Sequence, residues 1–299
     1  MARKASRKMP RPGLVDLHVH STASDGAFSP REIVRIAADA GLKAVAVTDH
    51  DTVAGVPEAL AAGTEFGIEV IPAVEISAEF DRGACHLLGY FVDHADRGLA
   101  GALAEARASR ARRNRQILRR LRALGFDLSM ADLARRAEHG SVTRAHFAAA
   151  LLEKGYVRSW DEAFARYLSR GCPAYVYRRR IAPVDAIRAV HGAGGLAFLA
   201  HPRQLNLDAA ATASLVEGLA AHGLDGLETQ SADHSRTCAR QYRALAQRLG
   251  LLESGGTDWH GRADSNVRIG VGTGQVRVPY EVVEAMKRRL MARPAVRGR

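Results

Sequence analysis

The chain has no run of apolar residues approaching the roughly 20 needed to span a bilayer. Its basic start, "MARKASRKMPRPG", is not followed by an apolar stretch. We therefore expect no membrane segment, no cleaved leader and a cytoplasmic protein with a basic tail over 1–13. Cysteine is scarce: Cys85, Cys172 and Cys238 are an odd number, far apart and without C-x-x-C spacing. That argues against a disulfide framework and against a thiolate zinc site. Acidic residues are in deficit, 32 Asp and Glu against 43 Lys and Arg, for a formal net charge of +11. Such a balance suits polyanionic partners, nucleic acid or phosphorylated metabolites, although composition alone can also produce it. The phosphate loop G-x-x-x-x-G-K-[ST], the nucleophile elbow G-x-S-x-G and the zinc helix H-E-x-x-H are all missing. "GAGG" at 192–195 and "GVGTG" at 270–274 lack dinucleotide spacing and read as turns.

What is present is an alternation. Apolar strand-like runs ("GLVDLHVH", "AVAVTDH", "IEVIPAVEIS", "CHLLGYF", "LAFLAHP", "GLETQ", "LLESGGTDWH") are separated by helical patterns. "SPREIVRIAADAG" shows how clearly a helix is signalled: Ser29 as N-cap, Pro30 at the first position, Glu32 closing a capping box and Gly41 as the stop. The alternation predicts an α/β fold with a parallel barrel. Residues 98–182 break it. They are helical, rich in arginine and nearly free of strands, and read as a helical subdomain inserted into a barrel made of 14–97 and 183–292. Within the insert, "RASRARRNRQILRRLRALG" at 107–125 sets Ile117, Leu118, Leu121 and Leu124 at helical spacing beneath a basic face. That face is either simply solvated or binds RNA.

Side chains on a strand alternate, so Asp16, His18 and His20 share one face. In a parallel barrel the strand ends gather at one mouth. Strand after strand here ends in an imidazole or carboxylate: His20, His50, Glu75, His201, then Asp258 and His260, with Asp25 just beyond the first strand. His86 lies near the start of its strand. One such histidine would be unremarkable in a core or on a surface. Nine metal-competent residues converging on one mouth are not. Asp16 and Asp49 read as carboxylates that orient the histidines, or as plain strand-end polar groups. His94, His139, His191, His222 and His234 read as ordinary surface or packing residues, and His146 is kept as a candidate.

The ordered motifs "DLHVHSTASDG", "AVTDHDT", "VEIS", "HLLGY", "AHP" and "TDWHG" resemble those of the polymerase and histidinol phosphatase (PHP) family. The resemblance implies a distorted seven-stranded (β/α) barrel holding two to three divalent metal ions, Mn first, with Fe or Zn as alternatives. It would assign His18, His20, Glu75 and Asp258 to one ion, Glu75, His86 and His201 to a second, and Asp25, His50 and His260 to a third. "SVTRAHFAAALLEKGYV" and "YLSRGCPAYVYRRR" resemble the subgroup of nucleoside 3',5'-bisphosphate phosphatases and a 5'-3' exoribonuclease. On that resemblance Arg144 and Arg178 would grip substrate phosphate, because a guanidinium fork matches two phosphate oxygens. Relatives carry a lysine near Cys172, whose thiol cannot supply that charge. The implied activity is hydrolysis of nucleotide phosphate esters by a hydroxide bridging two ions, with Asp258 or His201 as proton donor to the leaving group. Nucleotides or short RNA would be the partners, with no membrane and no obligate protein partner. The alternatives are a histidinol phosphatase and, from another class, a nucleic-acid-binding accessory module with structural metals.

Overall fold

A computed structural model describes residues 13–80, 85–136, 142–262 and 265–293. The expected tail 1–13, apart from Gly13, and His139 lie outside the described residues. The strand-like runs become β1 (Leu14–Val19), β2 (Ala44–Val47), β3 (Glu69–Ala78), β4 (Cys85–Tyr90), β5 (Leu196–Leu199), β6 (Gly226–Gln230) and β7 (Leu252–Gly255). They form one sheet in the order β7-β6-β5-β4-β3-β2-β1-β8, where β8 (Val278–Pro279) pairs antiparallel with β1. The sheet curls until its edges meet. A parallel bridge joins Val19 to Trp259, and the His20 N–H donates to the Trp259 carbonyl at 2.9 Å. The result is a nearly closed, distorted barrel.

The barrel is not wholly parallel. β4 runs antiparallel to both β3 and β5, while β1–β3 and β5–β7 pair in parallel. The cause is chain length: only residues 79–84 separate β3 from β4, too few for the dozen or more that a parallel crossover requires. The reversal matters for the site. The first residues of β4 lie at the end where the other strands finish, and His86 pairs with Ser77 near the end of β3.

Helices α1 (Pro30–Asp39) and α2 (Val56–Phe66) pack outside the first strands. In α1, Ser29 Oγ accepts from the Glu32 N–H and Glu32 returns the bond to the Ser29 N–H, the capping box read from sequence. Between β4 and β5 lie α3 (Arg97–Ala123), α4 (Met130–Arg136), α5 (Arg144–Glu153), α6 (Trp160–Ala163) and a π turn at Phe164–Leu168. Leu99 and Leu103 of α3 join the barrel's outer core. Its second half joins a separate apolar cluster with α5, through Ile117, Leu121, Phe147 and Leu151. Helices α7 (Pro183–Gly192), α8 (Ala209–Ala221), α9 (Arg236–Arg248) and α10 (Glu281–Met291) complete the outer layer. Among the described residues no helix is long and apolar enough to cross a membrane.

At the end away from the mouth, Asp225 ties the chain's last described turn to the barrel. Its carboxylate accepts from the Ala197 N–H at 2.8 Å, lies 2.9 Å from His191 Nε2 and pairs with Arg293. Burial alone would raise its pKa, but His191, the Ala197 N–H and Arg293 outweigh that and hold it below the usual 3.8. A depressed carboxylate contributes stability that is present above the unfolded pKa and lost as pH falls through the folded value. Asp225→Asn should therefore cost about 1–3 kcal/mol at neutral pH. In urea titrations the gap from wild type should close only below about pH 4. A gap independent of pH would mean that the bonds act without the charge.

Candidate metal centre

Glu75 sits in the middle of the mouth, on β3, fully buried. Its Oε1 lies 2.8 Å from His86 Nδ1 and 2.9 Å from His201 Nε2. Its Oε2 lies 2.9 Å from His50 Nδ1, 3.2 Å from His20 Nε2 and 3.4 Å from His18 Nε2. Asp258 Oδ1 stands 3.1 Å from His20 Nε2 and 3.5 Å from His18 Nε2. His260 Nε2 reaches Asp25 Oδ1 at 3.4 Å. All nine residues singled out from the sequence are thus brought into one continuous cluster, drawn from β1, β3, β4 and the loops after β1, β2, β5 and β7.

Protein hydrogen bonds alone leave this cluster unsatisfied. His18 Nε2, both nitrogens of His20, His50 Nδ1 and Glu75 Oε2 are buried without a hydrogen-bond partner, where each such atom costs about 1–3 kcal/mol. The ligand atoms gather in sets within 4.8 Å of one another: His20, Asp25, His50 and His260; His18, Glu75 and His201; His18, His20 and Asp258; His50, Glu75 and His86. Imidazole and carboxylate donors facing inward at that separation fit divalent cations. The sets are not divided as the family resemblance divides them, since His20 and His50 are each shared. The electrostatics show the same crowding. Burial alone would lower the pKa of His20, but Asp258 and Glu75 raise it to about 10. For His86 burial prevails over Glu75, helped by His50 and His201, and the value falls to about 4.

Three carboxylates outside the cluster hold it in place, and for Asp16 and Asp49 the second of the two readings, strand-end polar groups, is the one that fits their contacts. Asp49 accepts from the Ser21 N–H at 2.8 Å, Ser21 Oγ at 2.6 Å and Ser24 Oγ at 2.6 Å, which shapes the loop that presents Asp25. Asp16 accepts from Thr257 N–H and Oγ1, the Gly270 N–H and the His18 N–H, and so sews β1 to the loop carrying Asp258. Their contacts are with loop backbone and hydroxyls, not with imidazole rings. The residue that does orient a ring is Glu228 on β6, which sequence reasoning missed. Its Oε1 is 3.0 Å from His18 Nδ1, and its Oε2 accepts from the His201 N–H at 2.6 Å. A buried acidic residue within the run "GLETQ" was the available signal. Because a carboxylate can only accept, it makes His18 carry its proton on Nδ1 and leaves Nε2 free for a cation.

Beyond His86 opens a cavity of about 270 Å³ lined by Arg110, Arg113, Arg144, Arg178 and Arg180 together with Ser77. Both arginines named from the sequence are there. Arg110 and Arg113 were read as part of a basic face, yet they are buried and turned toward the site. Asp51 pairs with two of these guanidiniums, 2.6 Å from Arg110 and 3.8 Å from Arg178. The Nε atoms of Arg110, Arg113 and Arg178 are buried and unpaired. Burial and the neighbouring guanidiniums pull Arg113 down to about 9, and burial followed by Arg110 does the same to Arg178. His146 faces elsewhere in its role: its Nδ1 accepts from the Thr143 N–H at 2.9 Å and caps α5. Cys172 closes the π turn, its thiol 3.1 Å from the Ala165 carbonyl, and does not line the cavity.

A sequence model of the PHP domain matches residues 16–165. The chain belongs to the PHP family. It is 36% identical over 82% of its length to a 5'-3' exoribonuclease of Haemophilus influenzae, covering 89% of that protein. It is 34% identical over 86% of its length to a 3',5'-nucleoside bisphosphate phosphatase of Chromobacterium violaceum, covering 90% of it. Among solved structures, an amidohydrolase from C. violaceum with bound sulfate and no metal superposes with a TM-score of 0.79 at 32% identity, over 93% of this chain and 96% of that one. A proposed metal-dependent phosphoesterase from Bifidobacterium adolescentis gives 0.78 at 30% identity, over 94% and 97%. This PHP-family chain is accordingly a metal-dependent phosphoesterase.

Proposed function

We propose that this PHP-family enzyme removes the 3'-phosphate of nucleoside 3',5'-bisphosphates and shortens 5'-phosphorylated RNA from its 5' end, with the 5'-phosphate held in the arginine cavity. The observation that carries this reading is the cavity itself: five guanidiniums, two of them paired with Asp51, opening at His86 onto the cluster. A second phosphate, at a fixed distance from the scissile one, supplies the missing negative charge. A histidinol phosphate has no such group, and the cavity would go unused. The charge distribution supports the same reading. Residues 98–182 hold 18 Lys and Arg against 7 Asp and Glu, an excess as large as that of the whole chain.

His18, His20, Asp25, His50, Glu75, His86, His201, Asp258 and His260 would hold two to three divalent ions, Mn first. Such ions, when bound, lower the pKa of water and offset charge on phosphoryl oxygens. The chain's own contribution is placement. Arg144 stands at the start of α5, Arg110 and Arg113 come from α3, and Arg178 and Arg180 from the segment leading into α7, so the phosphate is gripped from three directions. Of the two residues proposed to handle the leaving group's proton, His201 is enclosed, with Nε2 on Glu75. Asp258 is partly open to solvent and is the one a leaving oxygen can reach.

The test is phosphate release from adenosine 3',5'-bisphosphate, AMP, histidinol phosphate and a 5'-phosphorylated RNA oligomer, with Mn²⁺ and after chelation. The expected result is chelator-sensitive turnover of the bisphosphate and the RNA. Arg144→Ala and Arg113→Ala should each raise KM for the bisphosphate by about 10- to 100-fold, the worth of a charged hydrogen bond, with a smaller change in kcat. Turnover of histidinol phosphate alone would overturn the proposal.

A further inference from the structure

The cluster has two open ends. His50 stands between His86 and His260, its ring centroid 5.0 Å from the first and 6.4 Å from the second. Beyond His86 is the arginine cavity. Beyond His260 is another, of about 400 Å³, lined by Asp258, His260, Arg262, Ser265 and Asn266, and the two cavities share no lining residue. The near wall of the second one is well anchored. Trp259 stacks on Phe28 with centroids 5.4 Å apart and planes 8° apart, and the Ala27 N–H donates to the His260 carbonyl at 2.8 Å. The Arg262 guanidinium, half exposed, stands 3.9 Å from Asp25 Oδ2.

A nucleoside bisphosphate needs an anchor for one phosphate and a reaction centre for the other. Beyond the scissile phosphorus it offers only oxygen, so a polar cavity on that side has nothing to hold. A phosphodiester carries a second nucleoside there, followed in a longer chain by another phosphate. The Ser265 hydroxyl and the Asn266 amide can each donate and accept, as ribose hydroxyls and base edges require. Arg262 offers a cation for the next phosphate. Resting on the function proposed above, we infer that the His260-side cavity holds the second nucleoside of a 5'-phosphorylated polyribonucleotide, the one that keeps the scissile phosphate as its new 5'-phosphate when water adds to the phosphorus and the bond to the anchored nucleoside's 3'-oxygen breaks. The diester is then the substrate that spans the whole site, and the bisphosphate fills only half of it.

The experiment compares kcat/KM on adenosine 3',5'-bisphosphate and on 5'-phosphorylated triadenylate, which carries the phosphate beyond the second nucleoside, with Mn²⁺, for wild type, Arg262→Ala and Asn266→Ala. All three side chains lining the far wall are exposed, so the variants should fold. For Arg262→Ala the loss on the triadenylate should exceed the loss on the bisphosphate by about tenfold or more, the worth of one charge-assisted bond. Asn266→Ala should shift the ratio the same way by less. Equal losses on both substrates would mean that Arg262 only steadies Asp25, and would overturn this inference alone. Wild-type protein that cleaves the bisphosphate but not the triadenylate would overturn this inference together with the RNA half of the proposed function. Wild-type protein that cleaves neither would overturn the proposed function and this inference with it.

Discussion

Glu75→Ala is expected to lower turnover on the order of 10³-fold or more, the scale of several kcal/mol that a bound cation contributes at a reacting phosphoryl group. Both oxygens of Glu75 are engaged: Oε1 faces His86 and His201, and Oε2 faces His50, His20 and His18. Burial alone would raise its pKa, but His50, His86 and His18 hold it well below the usual carboxylate value, so it is charged. Removing that charge takes away the group common to two of the ligand sets. Manganese content after dialysis should fall together with activity. Circular dichroism should change little, because β3 keeps its backbone pairing with β2 and β4. Glu75→Gln, which keeps the volume and loses the charge, should reproduce most of the effect. Wild-type turnover in either variant would refute a catalytic role for the cluster.

Gly256→Ala should be strongly damaging for a single methyl group. A Cβ there would lie 2.4 Å from both the Cβ and the backbone N of His18 and 2.8 Å from Asp16 Oδ1. All three atoms belong to β1 where the barrel closes, and the backbone N among them does not yield cheaply. Overpacking of this kind costs about 1–3 kcal/mol, and here it falls on the seam that Asp16 and Thr257 hold together. Urea denaturation should show the loss in stability, and manganese affinity should drop because His18 is displaced from Glu75 and Glu228. Gly218→Ala in α8 is the control: its Cβ meets nothing within 4 Å, and helix propensity predicts a gain of up to about 1 kcal/mol. Two glycine-to-alanine changes of opposite sign would show that packing at the seam decides the outcome. Equal, small effects would refute the close approach.

Much of the fold was legible because its signals are local. The seven strand-like runs became seven strands, and the Ser29 capping box formed as read. The short segment between "IEVIPAVEIS" and "CHLLGYF" carried a signal that strand alternation alone obscures: six residues cannot make a parallel crossover, so β4 had to turn back. That reversal explains why His86, near the beginning of its strand, stands beside residues that end theirs. β8, two residues long, had no periodicity to announce it.

The site divides along the same line. Residue type and spacing determined which side chains could hold a cation, since alternation along β1 puts His18 and His20 on one face and the strand ends supply the rest. What supports them depended on residues distant in sequence. Glu228 reaches His18 across 210 positions, and no spacing rule links them. Asp16 turned out to bind loop backbone because the barrel closes β1 against the residues after β7. The arginines of α3 show the limit most clearly: helical periodicity marks Ile117 and Leu121 as buried, but a charged residue on the same helix reads as solvent-facing. Arg110 and Arg113 are buried because α3 lies against the barrel mouth, where the segment 178–180, α5 and Asp51 enclose them. The sequence by itself determined the chemistry available to this protein, because ligand type is a property of single residues and short strands. The tertiary structure alone decided how that chemistry is arranged, because barrel closure and helix packing set which distant charges meet and which are left seeking an anion.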